Sequence, residues 1–212
     1  MKMKPITIRM AVLEDAEDIL NIYEPYILNT VITFEYDRIP VPAFEERMKG
    51  IMRQFPWLVC HIDGKPAGYA YCSPHLERAA FAWDCECTVY LAEEYQGMGI
   101  ASALYQALFD LVKMQGYYNI YALICDSNKG SIDFHLKHGF REIGTYYNTG
   151  FKLGEWRNLV VLEKKLRPFV GTPEPILPIR ELNSSDIAAV IRKAELVTVK
   201  PCGKTVTGAS VE

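Results

Sequence analysis

The chain has 212 residues, half of them hydrophobic, which suffices for one substantial buried core. No apolar run approaches the roughly 20 residues of a membrane span, and residues 1–5 lack the apolar segment of a secretory signal. The net charge of −3 offers no general attraction to the phosphates of nucleic acid, so the composition predicts one cytoplasmic protein that binds neither membranes nor nucleic acid.

The hydrophobic pattern of the first 72 residues predicts alternating strands and helices. Residues 6–10 form a strand, and Glu14 and Asp15 suit the first turn of a helix that reaches Asn29. A second helix is predicted over residues 42–53. Residues 57–62 and 67–72 then form a β-hairpin, because Asp63-Gly64 favours a tight turn between two apolar runs.

The following segment continues with a strand over residues 82–91 and a long amphipathic helix. The helix begins near Gly99 and ends at Gly116, since the apolar positions between them repeat at helical spacing. Strands are then predicted over residues 120–125, 140–147 and 156–163, with a helix at about residues 131–138.

The turn before the long helix has the sequence Gln96-Gly97-Met98-Gly99-Ile100-Ala101. Amide hydrogens at a helix N-terminus have no intrahelical acceptor, and the helix dipole adds positive potential there. The glycines remove side chains that would hold a phosphate away, so the turn is suited to bind a diphosphate by main chain. A P-loop would need Gly-Lys-Ser/Thr, and a dinucleotide-binding turn would follow the first strand of a βαβ unit; neither applies here. The structural alternative is a glycine-rich helix start.

This turn resembles the pyrophosphate loop of the GNAT-type N-acetyltransferases, whose pattern is Gln/Arg-x-x-Gly-x-Gly/Ala. The segment from Asn128 to Phe140 resembles the second CoA-contacting segment of that superfamily. Further motifs resemble the phosphinothricin N-acetyltransferase branch, among them Thr33-Phe34-Glu35, Trp83-x-x-Glu86-x-Thr-Val-Tyr90 and Gly150-Phe-Lys152-x-Gly154-x-Trp156. The resemblance spans roughly residues 6–166 in colinear order. It implies an α+β fold, a mixed and mostly antiparallel sheet of about seven strands flanked by helices, with CoA bound where the central strands splay.

Acetyl transfer from a thioester to an amine needs a neutral amine, and therefore a general base. Strand alternation places Asp84, Glu86, Thr88 and Tyr90 on one face of their strand. A glutamate in this position is partly desolvated, which raises a carboxyl pKa toward useful values. Glu86 is therefore the candidate base; the alternative is a strand glutamate paired with a surface lysine.

The resemblance also implies the cosubstrate contacts. The Val89 amide would stabilise the developing oxyanion. His135 would deliver a proton to the CoA thiolate, although a satisfied core histidine is an equal alternative. Asn128 would contact pantetheine, and it can also cap its helix. Acetyl-CoA would be held by Val89, Tyr90, Leu91, Gln96, Gly97, Met98, Gly99, Ile100, Ala101, Asn128 and Ser131.

The resemblance implies an acceptor site formed by Phe34, Glu35, Tyr71, Arg78, Phe81, Trp83 and Glu86. Arg78 could bind a carboxylate or phosphinate through two hydrogen bonds; otherwise it is a solvated loop arginine. The branch often has Arg-Asn/Asp-Ala-Tyr where this chain has Arg78-Ala79-Ala80-Phe81, which puts phosphinothricin specificity in doubt.

The predicted activity is acetyl-CoA-dependent N-acetylation of the α-amine of a small amino acid or analogue. Phosphinothricin, methionine sulfoximine and methionine sulfone are the leading acceptors, with direct attack in a ternary complex and a homodimeric enzyme. The alternatives are a polyamine, aminoglycoside or protein N-terminus as acceptor, or a CoA-binding module without turnover.

The cysteines, at positions 60, 72, 85, 87, 125 and 202, form no Cys-x-x-Cys pair. Cys85 and Cys87 share one strand face and are too close for an unstrained disulfide. Buried, reduced thiols without a metal are the plain interpretation. Because these two cysteines flank Glu86, a covalent route stays open.

The composition shifts after Leu166. Prolines between residues 167 and 178 predict an extended linker, and residues 184–196 an amphipathic helix with Asn183 or Ser184 as N-cap. Residues 1–166 would then be the acetyltransferase domain and residues 167–212 a tail of unknown role. The tail is too short for its own core, so it docks on the body, docks on a partner subunit, or stays mobile.

Overall fold

A computed structural model describes residues 6–196 of the chain. The strands are β1 (Ile6–Met10), β2 (Trp57–Ile62), β3 (Lys65–Pro74), β4 (Asp84–Leu91), β5 (Asn119–Cys125), β6 (Arg141–Lys152) and β7 (Glu155–Lys165). The helices are α1 (Ala16–Asn29), α2 (Val41–Met52), α3 (Ile100–Gln115), α4 (Lys129–Lys137) and α5 (Ser184–Glu195).

The seven strands form one open sheet in the order β1-β2-β3-β4-β5-β7-β6. Every neighbouring pair is antiparallel except β4 and β5, which run parallel. Their ladder holds only three residue pairs and ends at Glu86 opposite Tyr121. Beyond that pair β4 stays bonded to β3 as far as Leu91, so β4 and β5 diverge. The predicted α+β fold with splayed central strands is confirmed.

Two apolar layers cover the sheet. Helices α3 and α5 pack on one face, where α3 buries one side of its surface. The predicted apolar positions Ile100, Leu104, Leu108 and Leu111 are all fully buried, as the 3.6-residue repeat requires. The helix ends at Gly116, whose φ of 108° is the left-handed cap that glycine adopts without strain.

Helices α1 and α2 pack on the other face around an aromatic cluster. The Trp57 and Tyr71 rings stack with centroids 4.1 Å apart, and Tyr69 lies beside both. The face of β4 that carries Tyr90 packs into this layer, whereas the face that carries Cys85 and Cys87 packs against α3. The alternation predicted for β4 is therefore confirmed.

Several predicted boundaries differ from the observed ones. Helix α1 begins two residues later than Glu14, because Leu13–Asp15 forms a 3-10 turn. Asp15 is not a solvated dipole partner: its carboxylate accepts from the Val12 amide at 2.8 Å and pairs with Arg9 at 2.6 Å. Strand β6 runs to Lys152, five residues beyond the prediction, with irregular pairing to β7. The sequence pattern missed this extension because irregular pairing breaks the period of two.

The segment after β7 docks on the body. Helix α5 packs against α3 and β1, and the Glu195 carboxylate accepts a hydrogen bond from the Ile8 amide at 2.8 Å. Gln115 joins the segment to α2 by donating from Nε2 to the carbonyls of Gln54 and Leu177. For residues 167–196 the structure therefore selects the first of the three predicted alternatives. Residues 197–212, which include Cys202, lie outside the described residues, and the division at residue 166 stays a prediction.

Candidate active site

The divergence of β4 and β5 opens a cleft between them, with a volume of about 370 Å³. One wall is the last part of β4, the other is β5, and the glycine turn and the start of α4 close the two ends. The lining residues are Tyr26, Ile32, Cys87, Thr88, Val89, Tyr90, Leu91, Gln96, Gly97, Ala101, Tyr105, Ala122, Leu123, Ile124, Asn128, Gly130, Ser131 and His135.

The glycine turn has the backbone shape that an anion site needs. Gly99 is the N-cap of α3 with φ 87°, and Gly97 has φ 73°. Both angles lie in the left-handed region, where other residues are strained. Within residues 6–196, and leaving aside the two adjacent residues, no heavy atom lies within 4 Å of the position that a Cβ on Gly97 would occupy. The turn therefore leaves open space at a helix N-terminus, which fits a phosphate held by amides.

Most of the residues predicted to contact acetyl-CoA line this cleft. Met98 and Ile100 do not: Met98 packs against the core beneath α3, and Ile100 is fully buried in it. They and Gly99 can contribute only main-chain groups. The predicted cosubstrate-site residues that do line the cleft, with the predicted proton donor His135, are Val89, Tyr90, Leu91, Gln96, Gly97, Ala101, Asn128, Ser131 and His135.

Tyr26 is a cleft residue to which the sequence assigned no role. Its hydroxyl donates to the Leu91 carbonyl at 2.6 Å and accepts from Gln96 Nε2 at 2.8 Å. This bridge joins α1, the end of β4 and the start of the glycine turn. The available signal was its position three residues after Tyr23, on one face of the predicted helix.

Asn128 caps α4, as the sequence predicted. Its side-chain oxygen accepts from the Ser131 amide at 3.2 Å. Because both residues also line the cleft, the start of α4 is held at the wall opposite the glycine turn.

His135 is buried, with 3% of its surface exposed. Nδ1 lies 2.7 Å from the Ser131 carbonyl, which can only accept, so Nδ1 carries the proton. Nε2 lies 2.9 Å from the Tyr105 hydroxyl and accepts its hydrogen. Burial lowers the pKa of His135 to about 4, so the ring is neutral near pH 7. The geometry favours the satisfied core histidine over the proton donor.

Tyr105 is a second cleft residue that the sequence did not single out. It is fully buried on α3 yet lines the cleft, and burial raises the pKa of its hydroxyl well above the usual value. Its spacing on the apolar face of α3 is that of a core residue, so the pattern carried no functional signal. The structure makes it the hydroxyl that His135 holds at the cleft.

Glu86 sits at the point where β4 and β5 part, with its side chain 27% exposed. Burial raises the pKa of its carboxyl, as predicted, and His75 partly opposes that shift. Nδ1 of His75 lies 2.8 Å from Oε1 of Glu86. The partner is thus a histidine and not the surface lysine of the alternative. The strand pattern offered no signal for it, because His75 lies beyond the end of β3.

The cysteines beside Glu86 do not favour a covalent route. The five cysteines of residues 6–196 are all free and buried. Cys87 reaches the cleft, but its thiol points at the Tyr121 carbonyl at 3.4 Å, and burial raises its pKa. A thiol that resists ionisation is a poor nucleophile. Within the same residues no group of His, Cys, Asp and Glu is arranged to hold a metal ion.

The loop that follows α1 carries Phe34 and Glu35, two of the predicted acceptor residues. It lies against β6 and α2. The Phe34 ring occupies the space that a Cβ on Gly150 would need. Glu35 pairs with Arg47 of α2 at 2.9 Å. Lys152 is buried and donates to the carbonyls of Ile27 and Thr33, both at 2.7 Å, so it anchors this loop.

The other predicted acceptor residues are dispersed. Tyr71 stacks on Trp57 and lies within electrostatic reach of Glu86. Arg78 is exposed in the loop between β3 and β4. Phe81 and Trp83 line a separate apolar cavity of about 610 Å³, and the Trp83 indole donates to the Glu174 carbonyl at 2.8 Å. The Trp83 indole NH is therefore bonded to the C-terminal segment.

The family comparison agrees with this geometry. The model of the acetyltransferase (GNAT) domain matches residues 8–161. A phosphinothricin N-acetyltransferase of Streptomyces coelicolor is 32% identical over 175 residues, which cover 76% of this chain and 96% of the relative. An L-methionine sulfoximine/L-methionine sulfone acetyltransferase of Pseudomonas aeruginosa is 28% identical over 79% of this chain and 98% of the relative.

A solved structure shares the architecture. The crystal structure of a GNAT superfamily phosphinothricin acetyltransferase from Sinorhizobium meliloti, in complex with AcCoA, superposes with a TM-score of 0.76. It is 29% identical and covers 84% of this chain and 100% of that one.

The buried His135 predicts a pH dependence of stability. Burial lowers its pKa to about 4 in the folded chain, against 6.5 for a solvated histidine. Between these two pH values the unfolded chain therefore binds a proton that the folded chain does not. Stability is therefore lost as pH falls from 6.5 to 4, by up to about 3 kcal/mol. In His135→Gln, the difference in unfolding free energy from wild type should shrink over that window, measured by urea denaturation at several pH values. A pH-independent difference would contradict the assignment.

Proposed function

The chain belongs to the GNAT acetyltransferase family, and we propose that its acceptor is the α-amine of a small amino acid or amino-acid analogue. The observation that carries the proposal is the placement of Glu86. This half-buried carboxylate stands where β4 and β5 part, next to a cleft that ends at an anion-binding glycine turn. The relatives named for phosphinothricin and methionine sulfoximine or sulfone make these compounds the first acceptors to test.

We place acetyl-CoA in this cleft, because the amides at the N-terminus of α3 are suited to bind its diphosphate. We assign the diphosphate to the amides of residues 96–101 and the pantetheine arm to the main chain of Val89, Tyr90 and Leu91, with Asn128 and Ser131 on the facing wall. The Leu91 carbonyl already accepts a hydrogen bond from the Tyr26 hydroxyl. In this assignment the pantetheine arm therefore pairs with the main-chain amides and carbonyls that precede the Leu91 carbonyl in β4. The bound cosubstrate supplies an activated acetyl group, and we assign the Val89 amide to its carbonyl oxygen.

Glu86 acts as the general base of this proposal. The acceptor ammonium loses one proton to solvent, and the neutral amine nitrogen then forms its bond to the acetyl carbon. As the C–S bond breaks, the second proton passes from this nitrogen to Glu86 and the sulfur leaves as the CoA thiolate. Burial raises the pKa of this carboxyl, which makes it a stronger base than a solvated glutamate. His135 enters as a neutral ring that holds the Tyr105 hydroxyl at the cleft. The buried state of Cys87 favours direct attack over an acyl-enzyme.

Acceptor recognition rests on Arg78 in this proposal. Its guanidinium is exposed on the loop that also carries His75, so it is free to meet a carboxylate in solution. Phe34, Glu35 and Tyr71 belong to the same side of the sheet as Glu86. We assign Phe81 and Trp83 to the loop's packing against the C-terminal segment, with the acceptor bound nearer to Glu86.

We also propose that two copies associate through the β6–β7 hairpin and that the enzyme works in the cytoplasm. The hairpin exposes apolar side chains that a monomer would leave in water, namely Ile143, Tyr146, Tyr147, Phe151, Leu153 and Trp156. Within residues 6–196, none of the helices combines the length and apolar content that crossing a bilayer requires.

The base assignment predicts that Glu86→Gln keeps cosubstrate affinity and loses turnover. The amide has the same shape but cannot accept the proton, so kcat/KM should fall by about 10²–10⁴. Thiol release from acetyl-CoA measures this against a panel of amino acids, phosphinothricin, methionine sulfone and sulfoximine, polyamines and a peptide. The exposed Glu77→Gln is the matched control. Normal turnover in Glu86→Gln would remove the base role.

Arg78→Ala should raise KM by about tenfold for acceptors with a carboxylate, since one charge-assisted contact is lost. An acceptor amine without a carboxylate should show little change. Steady-state kinetics with such a matched pair of acceptors makes the measurement, and Arg53→Ala on the end of α2 is the control. An unchanged KM would exclude Arg78 from the acceptor site.

The proposed dimer predicts that Tyr147→Glu, at a site 75% exposed on β6, yields a monomer. A carboxylate buried in an apolar interface is left without a partner. Sedimentation velocity compares it with Val170→Glu, at a site 73% exposed on the C-terminal segment, which should stay dimeric. A wild-type monomer at micromolar concentration would refute the dimer.

A further inference from the structure

The pair formed by His75 and Glu86 is the part of the site that the family pattern does not account for. Ser73 is the β3 residue that pairs with Glu86 in the sheet, and β3 ends one residue later, at Pro74. His75 follows directly, and its ring turns back to place Nδ1 2.8 Å from Oε1 of Glu86. The two side chains are 14% and 27% exposed, so this contact is largely shielded from water.

The imidazole is held from the opposite side by β5. It stacks on the Tyr121 ring with centroids 4.1 Å apart and planes inclined by 11°. The Tyr121 hydroxyl donates to Glu163 at 3.3 Å, and Glu163 is held in turn by Arg141 at 2.6 Å. The ring therefore has one fixed plane, and only Nδ1 faces Glu86.

The hydrogen bond has a defined direction when Glu86 is ionised. A carboxylate oxygen can only accept, so Nδ1 donates its hydrogen to Oε1. Oε2 then remains for another partner: within residues 6–196 no group hydrogen-bonds it. A general base needs one oxygen with a free lone pair aimed at the substrate.

We propose that His75 is a positioning residue for acetyl transfer: by binding Oε1 it orients Glu86 so that Oε2 takes the proton from the acceptor amine. This inference rests on the proposed function. The proton balance stays simple, because the amine proton moves to Oε2 while the Nδ1–H···Oε1 bond persists. His75 does not touch the acceptor and gains no proton in the step.

The charges around the pair determine how His75 acts on the base. Asp84 and Glu86 come from β4, and Tyr121 with its partner Glu163 from β5 and β7; Arg141 on β6 offsets Glu163. Burial raises the pKa of Glu86, and the hydrogen bond from His75 lowers it. Loss of the donor therefore leaves a carboxyl that is protonated up to a higher pH.

Two variants separate the hydrogen bond from the ring. His75→Phe keeps a ring that can stack on Tyr121 and removes the donor. His75→Asn removes the ring and keeps an N–H near the position of Nδ1. The acid limb of kcat/KM should move up by about one pH unit in His75→Phe and stay close to wild type in His75→Asn.

The measured quantity is the ratio of kcat/KM in each variant to that of wild type, from pH 5.5 to 9. Titration of the acceptor amine is common to both enzymes and cancels in this ratio. For His75→Phe the ratio should be about tenfold lower at the acid end than at the alkaline end. A ratio independent of pH, or equal pH dependence in the two variants, would overturn the proposal.

A second readout does not depend on turnover. Carboxyl-detected NMR of 13C-labelled enzyme follows the titration of Glu86, whose signal is identified by its absence in Glu86→Gln. The Glu86 pKa should rise in His75→Phe and not in His75→Asn; an unchanged Glu86 pKa refutes the inference whatever the activity. If no acceptor of the panel is acetylated while the Glu86 pKa still rises, the coupling is supported and the proposed function fails alone.

Discussion

The early end of the β4–β5 ladder is the constraint on which the rest of the site depends. Two parallel strands that stayed paired would bury the main chain of β4 and leave no room beside it. Because the pairing stops at Glu86 and Tyr121, the last residues of β4 turn one edge toward a cleft. The same divergence points the chain into the glycine turn, so the end of the β4–β5 pairing, the Glu86 carboxylate and the glycine turn lie within one short segment.

Packing on both faces stabilises this gap. Helix α3 is fully buried along its apolar side, and the aromatic cluster of Trp57, Tyr69 and Tyr71 fills the other face. Tyr26 connects the end of β4 and the start of the glycine turn to α1. The C-terminal segment, which lies outside the matched family domain, binds β1, the Gln54 carbonyl just after α2, and Trp83. It therefore stabilises the edge of the sheet opposite the hairpin.

Two histidines near the cleft differ in function because their surroundings differ. His135 is enclosed, both of its nitrogens are hydrogen-bonded, and burial keeps it neutral. His75 lies nearer to water and uses one nitrogen on a carboxylate. The first serves packing and holds the Tyr105 hydroxyl. The second is suited to control the orientation and ionisation of Glu86. Residue type alone did not distinguish these two roles; hydrogen-bond partners and exposure did.

Features that depend on residues close together in the chain could be predicted from the sequence. Helical spacing placed the buried face of α3, the glycines of residues 96–101 located the turn before it, and alternation on β4 assigned Glu86 and Cys87 to opposite faces. Contacts between segments that are distant in the chain could not be predicted, because hydrophobic periodicity shows which face of an element is buried but not which residues cover it. His75, Tyr105, Tyr26 and the docking of α5 are all of this kind. The sequence by itself determined the order of strands and helices, the position of the glycine turn and the candidate base. The tertiary structure alone decided what Glu86 and His135 touch, since those partners come from other strands and helices.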